Sequence, residues 1–347
     1  TFLQRYLDAV QRETFPLMEA RLVSPADEPL SPTYPKKVLI ALLVAVGGFV
    51  LSVGAAIVLE LKDRTVRSSE QVEEALDVRC LALVPDMRPR RSLFTLLAKD
   101  AYRDKGSNPV MADQALDHPL SEFSEAMRGL KVGIDSCRRF HRTNVIGITS
   151  TLPHEGKSTI AANLARLIAN AGGRGILIDA DLRNPTLSRL VGADRPGLLD
   201  AVADSGLVYR DLLYTDPRCG LAILAAGSRP PTADTNEILA SQGMKRLVEA
   251  ASADFDYVIV DLPPLIPVVD ARSTAECIGS YIYVVEWGQT TVDIIEHCLS
   301  VAPEIRAKLL GIVINKVDMS SVERYEPFRA YYKKYYNIYG KETNKVI

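Results

Sequence analysis

The chain has 347 residues, a formal net charge of −2 and 24% charged side chains, a length that allows roughly two domains. Without a basic excess, nucleic acid is excluded as an expected partner. The five cysteines, Cys80, Cys137, Cys219, Cys277 and Cys298, form no C-x-x-C pair and have no histidine at metal spacing, which argues against a disulfide framework or a zinc site and fits a reducing compartment.

The sequence opens Thr1-Phe2, without an initiator Met or a signal peptide, and reads as the C-terminal part of something longer. Residues 1–22 carry Phe2, Leu3, Tyr6, Val10 and Phe15 at loosely helical spacing, the end of a helical stalk. Pro25, Pro29, Pro32 and Pro35 then favour extended chain. Val38 to Leu59 is an apolar run without a charge. As a helix it would be about 33 Å long, matching a hydrocarbon core of about 30 Å. Lys36 and Lys37 flank one end and Glu60, Lys62, Asp63 and Arg64 the other, so 36–61 is expected to cross a membrane. Gly48, Ser52 and Ala56, four apart, would suit packing against another membrane helix.

Residues 62–119 read as a juxtamembrane segment and tether. Ser69 to Asp86 hints at a short helix and a strand at Cys80 to Val84. Residues 87–119 lack periodicity and contain Pro89, Gly106, Pro109 and Pro119, which predicts a flexible linker. Arg88, Arg90 and Arg91 fit a solvated charge cluster as well as a contact with anionic lipid.

From residue 120 to 320 the pattern is that of one domain. Ser121 to Cys137 is helical, with Glu125, Arg128 and Lys131 three apart, either an intrahelical charge pair or a partner-binding face. Asn144 to Thr159, NVIGITSTLPHEGKST, holds a β-branched strand, then Pro153 and Gly156, then a helix with apolar residues three and four apart. Strand, glycine turn, Lys-Ser-Thr and helix form a phosphate site, because amides at a helix start and its dipole face an anion. Pro153, His154, Glu155, Gly156, Lys157, Ser158 and Thr159 would surround the phosphates. Lys157 would reach the β- and γ-phosphates, and Ser158 would offer its hydroxyl to Mg²⁺. The match to G-x-x-x-x-G-K-[ST] departs at Thr151, where the first glycine belongs. His154 also stands where a small residue fits more easily, and a positive φ there would cost about 1–2 kcal/mol.

Two further strands end in carboxylates. Arg174 to Asp179 leads into Asp179-Ala180-Asp181 and Arg183, and Tyr257 to Asp261 precedes Leu262-Pro263-Pro264. Carboxylates at the C-terminal edge of an open α/β sheet lie where such sheets bind ligands, and the second strand is a Walker B arrangement aimed at Mg²⁺. Burying three carboxylates so close together requires a neutralising cation or partner. Strands at Leu221 to Leu224, Ser280 to Val285 and Leu309 to Ile314 would complete a mostly parallel sheet flanked by helices, an α/β, P-loop NTPase-like fold. Asn315-Lys316-Val317-Asp318 is similar to the guanine-reading N-K-x-D. The incomplete glycine pattern and Asp-Leu-Pro-Pro speak against a GTPase, and Asn315 could equally contact adenine.

P-H-E-G-K-S-T, I-L-I-D-A-D-L-R and V-I-V-D-L-P-P resemble the Walker A, A′ and B set of the bacterial tyrosine kinases, themselves similar to the P-loop ATPases that sort plasmids and place division sites. The proline spacing and S-P-T-Y-P-K-K before the apolar run resemble the chain-length determinants, or co-polymerases, of polysaccharide export, of the exopolysaccharide (succinoglycan-like) transport type with a fused kinase. The resemblance implies ATP and Mg²⁺ as cofactors, with Asp181 and Asp261 near the metal and Asp179 orienting or deprotonating a tyrosine hydroxyl. It also implies a ring-like homo-oligomer through E-x-x-R-x-x-K at Glu125, where Lys131 replaces an Arg suited to bidentate pairing. The further implied partners are the polysaccharide polymerase and export machinery and a protein-tyrosine phosphatase. ATP chemistry belongs in the cytoplasm, so residues 1–35 would be periplasmic, one helix would cross the bacterial inner membrane, and the kinase domain and tail would lie in the cytoplasm.

Residues 321–347 crowd Tyr325, Tyr331, Tyr332, Tyr335, Tyr336 and Tyr339 into one tail, the expected phosphoacceptors. Tyr325, Phe328, Tyr332, Tyr335 and Tyr339 also fit a helical packing seam. Arg324, Arg329, Lys333, Lys334, Lys341 and Lys345 outnumber Glu323, Glu326 and Glu342, and about two phosphotyrosines, each adding about −1.5 to −2, would cancel the excess. A cationic tail can approach an aspartate-rich site in a neighbouring subunit, and a phosphorylated one would be repelled. The rival expectations are a MinD/ParA-like positioning ATPase without a protein substrate and a co-polymerase scaffold with an inactive kinase module.

Overall fold

The computed structural model describes residues 2–13, 34–87, 113–141, 143–192, 195–203, 207–227, 234–322 and 325–326. They belong to two units, Thr1–Lys62 and Asp63–Ile347. The first holds helices Phe2–Glu13 and Lys37–Lys62. Within the second of these, Lys37–Glu60 has a mean hydropathy of 2.6 and is, by length and composition, apolar and long enough to cross a membrane. Most of the proline-rich stretch lies outside the described residues.

The second unit is built on an eight-stranded sheet. Its strands are β1 (Cys80–Pro85), β2 (Val145–Ser150), β3 (Gly175–Asp179), β4 (Tyr214–Thr215), β5 (Ala222–Leu224), β6 (Tyr257–Asp261), β7 (Ser280–Glu286) and β8 (Leu309–Val317), in the order β1-β8-β7-β2-β6-β3-β5-β4. All pairings are parallel except β4 with β5. Parallel strands are covered on both faces, which is why the central ones read as nearly unbroken apolar runs. Alternate side chains feed opposite layers. Ile146, Ile148, Leu177 and Ile259 pack with Met127 and Leu130 of helix Glu122–His141 and Ile160 and Leu164 of helix Lys157–Asn170. Val145, Ile176, Val258 and Val260 pack on the other side with Met244 and Val248 of helix Gln242–Asp254.

The fold begins well before the expected boundary at residue 120. Helix Ser69–Leu76 is capped by Ser68, whose side chain accepts the Gln71 N–H, and it buries Val72 and Leu76. β1 then pairs with β8, so the stretch expected to be juxtamembrane is an edge of the sheet. The end of the expected tether is also ordered. Helix Gln114–Asp117 buries Ala115, whose N–H donates to Asn163 Oδ1 at 2.9 Å, while Arg218 pairs with Asp117 and Asp113. A four-residue helix is too short to leave a periodic signal in the sequence. Residues 88–112 lie outside the described ones. The edge strand β4, two residues long, was not expected either.

Candidate active site

β2 delivers the phosphate loop and helix Lys157–Asn170 receives it, with the loop's entry pinned to the segment after β6. Leu265 N–H donates to the Ser150 carbonyl at 2.8 Å, and Ile266 N–H to that of Thr151 at 3.1 Å. The departures from the glycine pattern now have a physical reading. Thr151 is not among the described residues of positive φ, so a side chain is tolerated there. The demand falls instead on His154 (φ 69°) and Gly156 (φ 96°), and His154 meets it at the backbone cost a non-glycine residue carries. Gly156 is required twice over, because an added Cβ would also sit 2.1 Å from Asn315 Nδ2. Gly156→Ala is therefore expected to displace the loop and weaken nucleotide binding by at least about tenfold, while helix packing keeps the protein folded. Calorimetric titration with Mg-ADP, beside a circular-dichroism melt, checks this.

Pro153 and His154 are exposed at the loop's crown, and Thr159 lies in the first helical turn, whose amides have no intrahelical acceptor. Glu155 departs from the expected arrangement. Its carboxylate is buried, accepting Leu152 N–H at 2.6 Å, Glu286 N–H at 3.3 Å and the Thr290 hydroxyl. Burial raises its pKa against the pull of these donors. The side chain therefore shapes the loop from within, leaving only its backbone for a phosphate. Asn315 also reaches the loop, donating from Nδ2 to the Glu155 carbonyl at 2.8 Å. No local sequence signal pointed to Thr290 or Glu286, which reach the loop through tertiary contact alone.

The carboxylates converge as their strand positions imply. Asp179 and Asp261 are register partners on β3 and β6, both fully buried. Lys157 Nζ lies 2.7 Å from Asp181 Oδ2, 3.6 Å from Asp261 Oδ1 and 3.3 Å from the Ser158 hydroxyl. Burial would lower the Lys157 pKa, but Asp261 and then Asp181 outweigh it and the net direction is upward. Burial raises Asp261, opposed by the Lys157 charge. Burial, reinforced by Asp261, pushes Asp179 up to about 7, against the Ser188 donors. Ser188 gives both its N–H and its hydroxyl to Asp179 Oδ2, each at 2.8 Å, while Asn184 N–H donates to Asp181 Oδ1 at 3.1 Å.

One ammonium facing three buried carboxylates leaves a negative excess in low dielectric, and such an excess is costly without a further cation. Both Asp261 oxygens and Asp179 Oδ1 are buried without a hydrogen-bond partner among the described residues. Those orphaned oxygens fit a divalent cation. Mg²⁺ takes one or two protein ligands and completes its shell with water and phosphate.

Outside this cluster the expected residues separate. Arg128 pairs with Glu125 on its own helix and donates to the Pro119 carbonyl at 2.6 Å. Lys131 is engaged with Asp135 at 2.7 Å and lies over the Tyr257 ring. Tyr325 lies among the described residues. Its hydroxyl accepts from Arg67 Nη1 at 2.6 Å, its ring packs edge-on to Trp287, and the Glu326 carboxylate next to it accepts from Ser69 N–H and Oγ. These contacts hold Tyr325 against the second unit. Tyr331, Tyr332, Tyr335, Tyr336 and Tyr339 lie outside the described residues.

The family model of the CobQ/CobB/MinD/ParA nucleotide binding domain matches residues 146–341. The chain is 37% identical to the succinoglycan biosynthesis transport protein ExoP of Rhizobium meliloti (strain 1021), over 98% of this chain and 45% of that protein. It is 30% identical to the tyrosine-protein kinase ptk of Acinetobacter johnsonii, over 87% of this chain and 40% of that one. Among solved structures, the BceF tyrosine kinase domain is 28% identical and superposes with a TM-score of 0.60, covering 73% of this chain and 99% of that domain. The chain thus spans less than half the length of these two curated relatives.

Proposed function

The chain belongs to the CobQ/CobB/MinD/ParA nucleotide-binding family, and from that premise we propose that it is an ATP- and Mg²⁺-dependent protein-tyrosine autokinase acting in exopolysaccharide export. The observation that carries the reading is the meeting of Lys157 with Asp181, Asp261 and Asp179 beside the phosphate loop. Tyrosine kinases and an exopolysaccharide transport protein among its relatives support the same assignment.

Lys157 and the loop amides would hold the triphosphate, because phosphoryl transfer is catalysed mainly by positioning and charge. Ser158, Asp181 and Asp261 would hold Mg²⁺, which neutralises charge on the transferring group. Asp179 would take the proton released as the tyrosine oxygen bonds to phosphorus. Ser188 fixes one of its oxygens and leaves the other unpartnered. A pKa near 7 suits a general base.

The acceptors would be Tyr331, Tyr332, Tyr335, Tyr336 and Tyr339, presented between neighbouring subunits of a ring that Glu125, Arg128 and Lys131 help to form. The chain would be held in the bacterial inner membrane by the Lys37–Lys62 helix, with residues 1–35 periplasmic. Polymerase and export components and a phosphatase would be its partners.

The test is to incubate the full chain in detergent with Mg-ATP and blot for phosphotyrosine. Phe at the five distal positions is expected to abolish the signal. Tyr325→Phe should leave the signal near its native level and lower stability by about 1 kcal/mol, through loss of the Arg67 hydrogen bond. ATP hydrolysis without phosphotyrosine would favour a positioning ATPase, and neither activity would favour a scaffold.

A further inference from the structure

We propose that Lys316 is a positioning residue that holds the phosphate loop in its binding shape before any nucleotide arrives. This deepens the nucleotide-binding reading above and rests on it. The N-K-V-D stretch resembles a base-reading motif, yet its first two side chains are directed at the loop backbone. Asn315 Nδ2 donates to the Glu155 carbonyl at 2.8 Å, and Lys316 Nζ donates to the carbonyl of His154. Consecutive residues of β8 therefore grip consecutive carbonyls of the loop.

The strand is distorted to allow this. Leu83 of β1 faces Ile314, but Pro85 faces Val317, so two steps on β1 are met by three on β8. Within that bulge Lys316 has a φ of 57°, the left-handed region that residues with a Cβ avoid. Bulges re-aim side chains and recur beside functional sites. Glu286 Oε2, 2.7 Å from Nζ, neutralises the ammonium, and its own N–H reaches Glu155 Oε1.

The consequence follows from peptide geometry. In a trans peptide the carbonyl and the following N–H point in opposite directions. Holding the carbonyls of His154 and Glu155 toward β8 aims the amides of Glu155 and Gly156 away from it. The left-handed backbone at His154 is the conformation this requires, and on its own it would tend to relax. Lys316 opposes that relaxation from outside the loop.

The full chain in detergent, titrated with Mg-ADP, tests the assignment, together with amide hydrogen exchange over residues 152–157 without nucleotide. Lys316→Met is expected to weaken Mg-ADP binding about tenfold, the scale of one hydrogen bond to a charged group, and to speed exchange in the loop. Lys316→Arg should restore both. In a His154→Gly background the left-handed state carries no Cβ penalty, so the same Lys316→Met change should cost less than about threefold, and the difference is a coupling between the two positions. Unchanged binding and exchange in Lys316→Met, or an equal loss in both backgrounds, overturns the proposal while leaving nucleotide binding intact. A native chain that takes up no Mg-ADP overturns the nucleotide reading and this proposal with it.

Discussion

A Lys157→Met chain is expected to lose at least about a thousandfold in Mg-ATP-dependent phosphotyrosine formation and to be destabilised at neutral pH by about 3–5 kcal/mol. Both effects have one origin. The ammonium is buried 2.7 Å from Asp181 and 3.6 Å from Asp261. A thioether there removes the group placed to hold the phosphates and strands the carboxylates without their counter-charge. The stability loss has a defined pH signature. Carboxylates whose folded pKa is raised bind protons more readily in the folded than in the unfolded chain, so their contribution is greatest at low pH and is lost as pH rises. The gap between native and Lys157→Met melting temperatures should therefore narrow from pH 8 to pH 5. A variant that keeps its phosphotyrosine signal would remove Lys157 from the chemistry. One as stable as the native chain at pH 8 would remove the buried-charge account.

Asp179→Asn is expected to lower the phosphotransfer rate by about 10²- to 10⁴-fold, the range for removing a general base. It should also erase the limb of the pH–rate profile that rises through about pH 7, where burial and Asp261 place the Asp179 titration. The sign for folding is separate and opposite in use. Between an unfolded pKa near the ordinary value of 3.8 and a folded one of about 7, the folded chain holds the extra proton, so stability drains away as pH climbs through that window. Asn cannot ionise, yet its carbonyl can still accept from Ser188. The variant should thus be at least as stable as the native chain at pH 8 while being far slower. Loss of rate accompanied by an equal loss of stability at pH 8 would assign Asp179 to folding alone, and an unaltered pH profile would exclude it as the base.

The central sheet and its site were legible because their signals are local. β2, β3 and β6 are short apolar runs, and each ends in residues whose chemistry has no place in a core unless it serves a site. The positive φ at His154 was foreseeable from the glycine pattern alone. What escaped was decided across the sheet. Nothing near Ser188 in the chain marks it as the donor to Asp179, and nothing near Thr290 marks it as a partner of Glu155. The N-K-x-D pattern at Asn315 does not say that a loop carbonyl lies within reach of its side chain. Nothing near Tyr325 in the chain marks Arg67 and Trp287 as its partners.

The pairing of β1 with β8 bears on how the second unit can be prepared on its own. A protein cut at residue 120, where the pattern of the sequence invites the cut, would lose β1 and helix Ser69–Leu76. Arg79 O, which receives Ile312 N–H, would go with them, as would the apolar cover that Val72, Leu76 and Leu83 give to Ile312 and Ile314. The bare strand left behind would be a template for pairing between molecules. Such a fragment should aggregate at concentrations where one beginning at Asp63 stays monodisperse, and light scattering on the two would tell them apart.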